Sequence, residues 1–106
     1  MKITKNMIYK PSIESHELFI YAINTGDLYR KNIIPTVKNL AKHYKKGVYN
    51  TEKAIISYFN IATLAAKLYN KEFSSYGYNA FSVSDRYTVA TDLEKYYFEN
   101  VINNDL

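Results

Sequence analysis

The sequence contains no cysteine and no tryptophan, only two prolines, three glycines and two arginines, and no apolar run approaching 18 residues. Without cysteine, disulfide scaffolds, thiolate zinc sites and thiol nucleophiles are excluded. Without a long apolar run no membrane span is expected. The opening Met1-Lys2-Ile3-Thr4-Lys5-Asn6 lacks the apolar core and cleavage site of a signal peptide, so a soluble, cytoplasmic protein is expected. Gly26, Gly47 and Gly77 stand singly, which removes any glycine-rich phosphate loop. His16 and His43 are 27 positions apart with no ligand spacing between them, so neither a metal site nor a cofactor is expected.

What is present describes one small helical domain. The 106 residues, 47% hydrophobic and 23% charged, match globular composition, and a chain of this size buries about two thirds of its surface on folding. Hydrophobic periodicity predicts a helix from about Ser12 to Ile23, with Leu18, Tyr21 and Ala22 on one stripe and Asn24-Thr25-Gly26 as its stop. A second helical segment runs from near Asp27 to Gly47. Pro35 removes an amide donor within it, so a kink or a split near Ile34 is expected. Asn50 caps a third helix reaching about Phe73, whose stripe is Ala54, Ile55, Tyr58, Ile61, Ala62, Ala65, Leu68 and Tyr69. Ser82 and Asp85 match a capping box that opens a fourth helix through Val89, Ala90, Leu93, Tyr97 and Val101. The prediction is an all-α, compact single-domain bundle of four to five helices spanning residues 1–106, with 1–10 as an extended arm and 103–106 as a frayed tail.

Charge is unevenly distributed. The net charge of +4 divides into +6 over residues 1–50 and −2 over residues 51–106. On a helical wheel Lys38, Lys42 and Lys45 fall within about 60°, with Lys46 adjacent and Lys31 joining them if Pro35 leaves the phase intact. Such a strip neutralises phosphates, meets an acidic protein surface, or simply solvates the outer face of a helix. The scarcity of arginine argues against base-specific DNA reading, because bidentate contacts to guanine favour the guanidinium fork.

Tyrosine occurs 12 times. Enrichment in Tyr, Asn, Ile and Lys is also what AT-rich coding produces. Tyr44 falls on the apolar stripe of its helix. Tyr49, Tyr76, Tyr78 and Tyr96 are the candidate exposed aromatics: Tyr76 and Tyr78, with Phe81, lie in a connection that no stripe buries, and Tyr96-Tyr97-Phe98 places rings on several faces of one helix. Asp92, Glu94 and Glu99 cluster on the last helix, but nothing in the pattern predicts the burial that separates the acidities of a catalytic pair. Asp85-Arg86 reads as a cap plus a salt bridge. No catalytic residue is assigned and an enzyme is not expected.

The blocks Asn24-Thr25-Gly26-Asp27-Leu28-Tyr29, Pro35-Thr36-Val37-Lys38-Asn39-Leu40, Lys46-Gly47-Val48-Tyr49-Asn50, Ala65-Ala66-Lys67-Leu68-Tyr69 and Phe81-Ser82-Val83-Ser84-Asp85-Arg86 resemble those of a family of small uncharacterised proteins encoded by phages, prophages and plasmids. The resemblance spans roughly residues 18–101. It departs at Thr36-Val37, where an Ile pair is expected, and at Asn50, where Asp is expected. No activity or site residue comes with the family. What the resemblance implies is a setting, a bacterial host cytoplasm. Small non-enzymatic proteins in that setting often occlude a host protein or ribonucleoprotein, including defence nucleases such as CRISPR effectors. The expected function is therefore a mobile-element protein that binds and blocks a host macromolecule, for example as an anti-CRISPR inhibitor. The alternative is a DNA- or RNA-binding accessory protein using Lys31, Lys38, Lys42, Lys45 and Lys46. A self-associating assembly component is a third reading. The positive charge argues against a DNA mimic, which needs strong acidity.

Overall fold

The computed structural model describes residues 3–73 and 81–106, and these form four helices with no strand. Helix α1 (Ile13–Asn24) starts at a capping box. The Ser12 hydroxyl accepts from the Ser15 amide at 3.0 Å, and the Ser15 hydroxyl accepts from the Ser12 amide at 2.9 Å. A single extended residue, Thr25, separates α1 from α2.

Helix α2 occupies residues 26–45 without a break, in three consecutive pieces: Gly26–Leu28, a π-helical turn Tyr29–Ile33, and Ile34–Lys45. The expected disturbance at Pro35 thus takes the form of a widened turn. The amide of Ile34 donates to the carbonyl of Tyr29, five residues back. That extra residue makes room just where the proline ring would collide with the preceding turn. The helix ends in a Schellman motif around Gly47 (φ 75°), with Val48 N–H on the His43 carbonyl and Gly47 N–H on that of Tyr44.

Asn50 caps α3 (Thr51–Glu72) by accepting from the Lys53 amide at 2.9 Å. Ser82 and Asp85 form the predicted capping box of α4 (Val83–Asn103). Helices α3 and α4 make the most extensive pair and run antiparallel, as the Thr63–Arg86 and Tyr58–Tyr97 contacts require. Fully buried Ala54, Ala62, Ala65 and Ala90 let their backbones approach closely, around Tyr58, Val89 and Leu93. Leu18 and Ala22 of α1, and Leu28, Ile33, Val37 and Leu40 of α2, close the core from the other sides.

Among the described residues both terminal segments are tied down. The N-terminal arm lies along α4: Lys10 N–H donates to Thr88 Oγ1 at 2.8 Å, the Tyr9 hydroxyl to Asp92 at 2.8 Å, and the Ser84 hydroxyl to the Ile8 carbonyl at 2.6 Å. Residues 103–106, expected to fray, instead turn back. Asn104 takes the left-handed conformation (φ 50°), the Asn100 amide group donates to Asp105 at 2.9 Å, and Leu106 packs on the core. Asparagine tolerates that conformation better than any residue except glycine, so Asn104 is a C-cap signal.

Candidate macromolecule-binding site

Lys31, Lys38, Lys42, Lys45 and Lys46 are all exposed, and none bonds a carboxylate among the described residues. Among those residues the one ion pair is Arg30–Asp27, 2.8 Å, on the surface. The π turn divides the lysines. In a straight helix Lys31 would align with Lys38. One added residue rotates the upstream turns by about 100° relative to the downstream ones. Lys31 accordingly borders a hollow of about 260 Å³ against α3, with Asp27, Leu28, Asn32, Leu64 and Leu68. It does not extend the strip. Lys42 and Lys45 border a different groove, about 450 Å³, between the C-terminal halves of α2 and α4. Its other walls are Ala41, Tyr44, Val101, Ile102 and Asn104. Lys46 follows directly as the helix cap.

Tyr44, placed by the sequence pattern on the apolar stripe, is 41% exposed at the rim of this groove. Its ring rests edge-on against Tyr49 and Phe98, centroids 6.1 and 6.2 Å away. Ile102, 41% exposed, adds apolar surface to the groove beside Lys42 and Lys45. Cationic side chains therefore flank an uncovered apolar floor, which suits an acidic partner carrying an apolar or aromatic group.

The aromatic candidates separate. Tyr49 is half-buried, contrary to its placement among exposed rings: its hydroxyl donates to Glu94 Oε2 at 2.7 Å, and its ring meets Phe98 edge-on at 5.6 Å. Burial, then the hydrogen bond to Glu94, push its phenol well above the ordinary tyrosine range. It anchors the segment after α2 to α4. Tyr96 is 56% exposed, with one edge on Phe19 at 5.5 Å, and stands apart from the lysine groove. Phe81 is buried against Tyr69 rather than free in a loop. Tyr76 and Tyr78 lie outside the described residues.

Glu94 is 8% exposed, a burial that the sequence pattern did not predict. Asp92 and Glu94 each accept a tyrosine hydroxyl, from Tyr9 and Tyr49 respectively. Asp85 caps its helix as expected, but Arg86 forms no salt bridge among the described residues and turns to Thr63. His16 and His43 are both exposed, and among the described residues no group of three His, Asp or Glu could hold a metal ion. Nor is any described helix long and apolar enough to cross a membrane. The sequence pattern did not reveal the α4 wall of the groove, Val101, Ile102 and Asn104. The signal for it was Ile102, an apolar residue adjacent to the buried position Val101 and off its stripe.

Comparison with family models, curated proteins and solved structures finds no match to this chain.

Proposed function

We propose that this protein is a non-catalytic interaction protein that binds and blocks a host macromolecule, gripping an acidic surface with Lys38, Lys42, Lys45 and Lys46. The observation that carries this reading is the uncovered groove beside Tyr44, Val101 and Ile102, rimmed by lysines that have no acidic partner among the described residues. Long-range attraction steers an acidic partner to such a flank, and the apolar floor supplies burial once contact is made. The resemblance to mobile-element proteins supports placing this activity in a bacterial cytoplasm. There the target would be a defence nuclease, and the protein an anti-CRISPR or related inhibitor. Stoichiometric capture of a host protein by the tagged chain, lost in the variant carrying both Lys42→Glu and Lys45→Glu, is the expected result. Equal capture by the variant would overturn the assignment of this face.

A second reading is favoured by Tyr44: an exposed ring between Lys42 and Lys45 is a stacking platform beside phosphate-neutralising charges. On that reading single-stranded oligonucleotides bind without sequence preference, and affinity falls steeply with salt through counterion release. Absence of oligonucleotide binding at low salt removes it and leaves the protein partner.

A further inference from the structure

Near the start of α4, far along that helix from the lysine groove, a hollow of about 190 Å³ is lined by Thr63, Ala66, Lys67, Asn70, Phe81 and Arg86. We infer that it binds the phosphate group of a small phosphate monoester, with Arg86 as the principal contact. The guanidinium is already fixed in place. Its Nη1 donates to Thr63 Oγ1 at 3.2 Å, its Nε lies 3.4 Å from the Ser82 carbonyl, and its carbon sits 5.3 Å from the centre of the Phe59 ring. Arginine has five donors, so three remain unused on a group whose freedom has been spent.

Its charge is also uncompensated. Arg30, the only other arginine, carries Asp27 at 2.8 Å, whereas Arg86 has no carboxylate partner among the described residues. The adjacent Asp85 is committed to the Ser82 amide at 3.1 Å and the Ser12 hydroxyl at 3.3 Å. Lys67 adds a second cation at the rim, and none of the described lining residues is acidic. An oxyanion is the ligand this charge arrangement selects.

Two features narrow the class. The hollow is smaller than the roughly 300 Å³ at which sites for whole drug-sized ligands begin, so it takes an anionic headgroup and little more. Asn70 lines the hollow and its Oδ1 atom is buried without a donor among the described residues, so a ligand reaches it once the side-chain amide turns outward. A phosphate monoester near its second pKa still carries a P–OH that can supply one, while a phosphodiester or an ionised carboxylate cannot.

The test is a titration of the isotopically labelled full chain with methyl phosphate at about pH 6, where the monoanion is well populated, at constant ionic strength. Saturable shifts at Thr63, Asn70 and the Arg86 side chain are expected, with affinity reduced about tenfold or more in Arg86→Gln. Lys67 is exposed, so Lys67→Gln leaves the fold intact and is expected to weaken binding about threefold. It keeps the test decisive should Arg86→Gln not fold. Dimethyl phosphate and acetate are expected to bind much more weakly. Shifts that do not saturate, a response centred on residues 38–46, affinity unchanged in Lys67→Gln, or equal binding of dimethyl phosphate or acetate would each overturn the inference.

Discussion

A half-buried and a fully buried tyrosine with opposite hydrogen-bonding fates make the residue-scale forces separable. Tyr49 donates to the buried carboxylate of Glu94, whereas the Tyr58 hydroxyl is buried with no partner among the described residues. Removing a donor from a buried charge costs about 1–3 kcal/mol, while removing an unpaired hydroxyl relieves a desolvation penalty. Tyr49→Phe is therefore expected to lower stability by about 1–3 kcal/mol in urea denaturation, and Tyr58→Phe to leave it unchanged or raise it slightly. A larger loss from Tyr58→Phe than from Tyr49→Phe would contradict this account of the pair. The phenols also fix the alkaline limit. Burial raises Tyr58 above the ordinary range and, with the neighbouring Tyr96 and Tyr29, pushes Tyr97 up to about 12. The folded state then holds these protons more tightly than the unfolded chain, so stability is full below about pH 10 and falls as pH rises further. Each such tyrosine contributes a slope of at most about 1.4 kcal/mol per pH unit. Helical circular dichroism should be lost together with late tyrosine ionisation, read from the ultraviolet absorbance of phenolate. Full ionisation of all tyrosines near pH 10 in a still-folded chain would contradict it.

At the scale of elements, most of the architecture was legible because helix ends write themselves locally. Asn50, the Ser82–Asp85 box and Gly47 each fix a terminus through hydrogen bonds or backbone conformation confined to a few neighbouring positions. The π turn was legible only in part. Pro35 announced a disturbance, but its form is encoded in the five-residue step between buried Leu28 and Ile33, which an ordinary helix would place about 140° apart. The widened turn brings both into the core and at the same time accommodates the proline. Deleting Asn32 restores ordinary spacing but sets Pro35 inside a regular helix. We expect that deletion to cost about 3 kcal/mol, recovered when Pro35→Ala is added. Equal stability of the single and double variants would mean that packing alone, not the proline, holds the turn open. What remained illegible was long-range: nothing near Tyr49 indicates Glu94, 45 positions away, and Lys31 aligns with Lys38 on any wheel that assumes a uniform helix. In the sequence the candidate site is a set of lysines on one helix. Its second wall comes from α4, and only tertiary packing supplies that.

For the molecule as a whole, the separation of charge from core decides the expected behaviour. The core rests on aliphatic side chains, alanines and aromatic contacts, while Lys42 and Lys45 are exposed and contribute no ion pair among the described residues. Replacing both by Glu is expected to lower stability by about 1–2 kcal/mol at most, measured by urea denaturation, because the only interaction lost is that of two exposed cations with the C-terminal end of the helix dipole. A loss of several kcal/mol would show that the flank is structural rather than free for a partner. The most direct measurement of the central claim is lysine acetylation mapped by mass spectrometry on the tagged chain, alone and after incubation in bacterial lysate. Strong protection of Lys42, Lys45 and Lys46, with Lys10 and Lys53 still reactive, is the predicted result. Unchanged reactivity at those three, or protection confined to other lysines, would contradict the assignment of the cationic groove as the working surface.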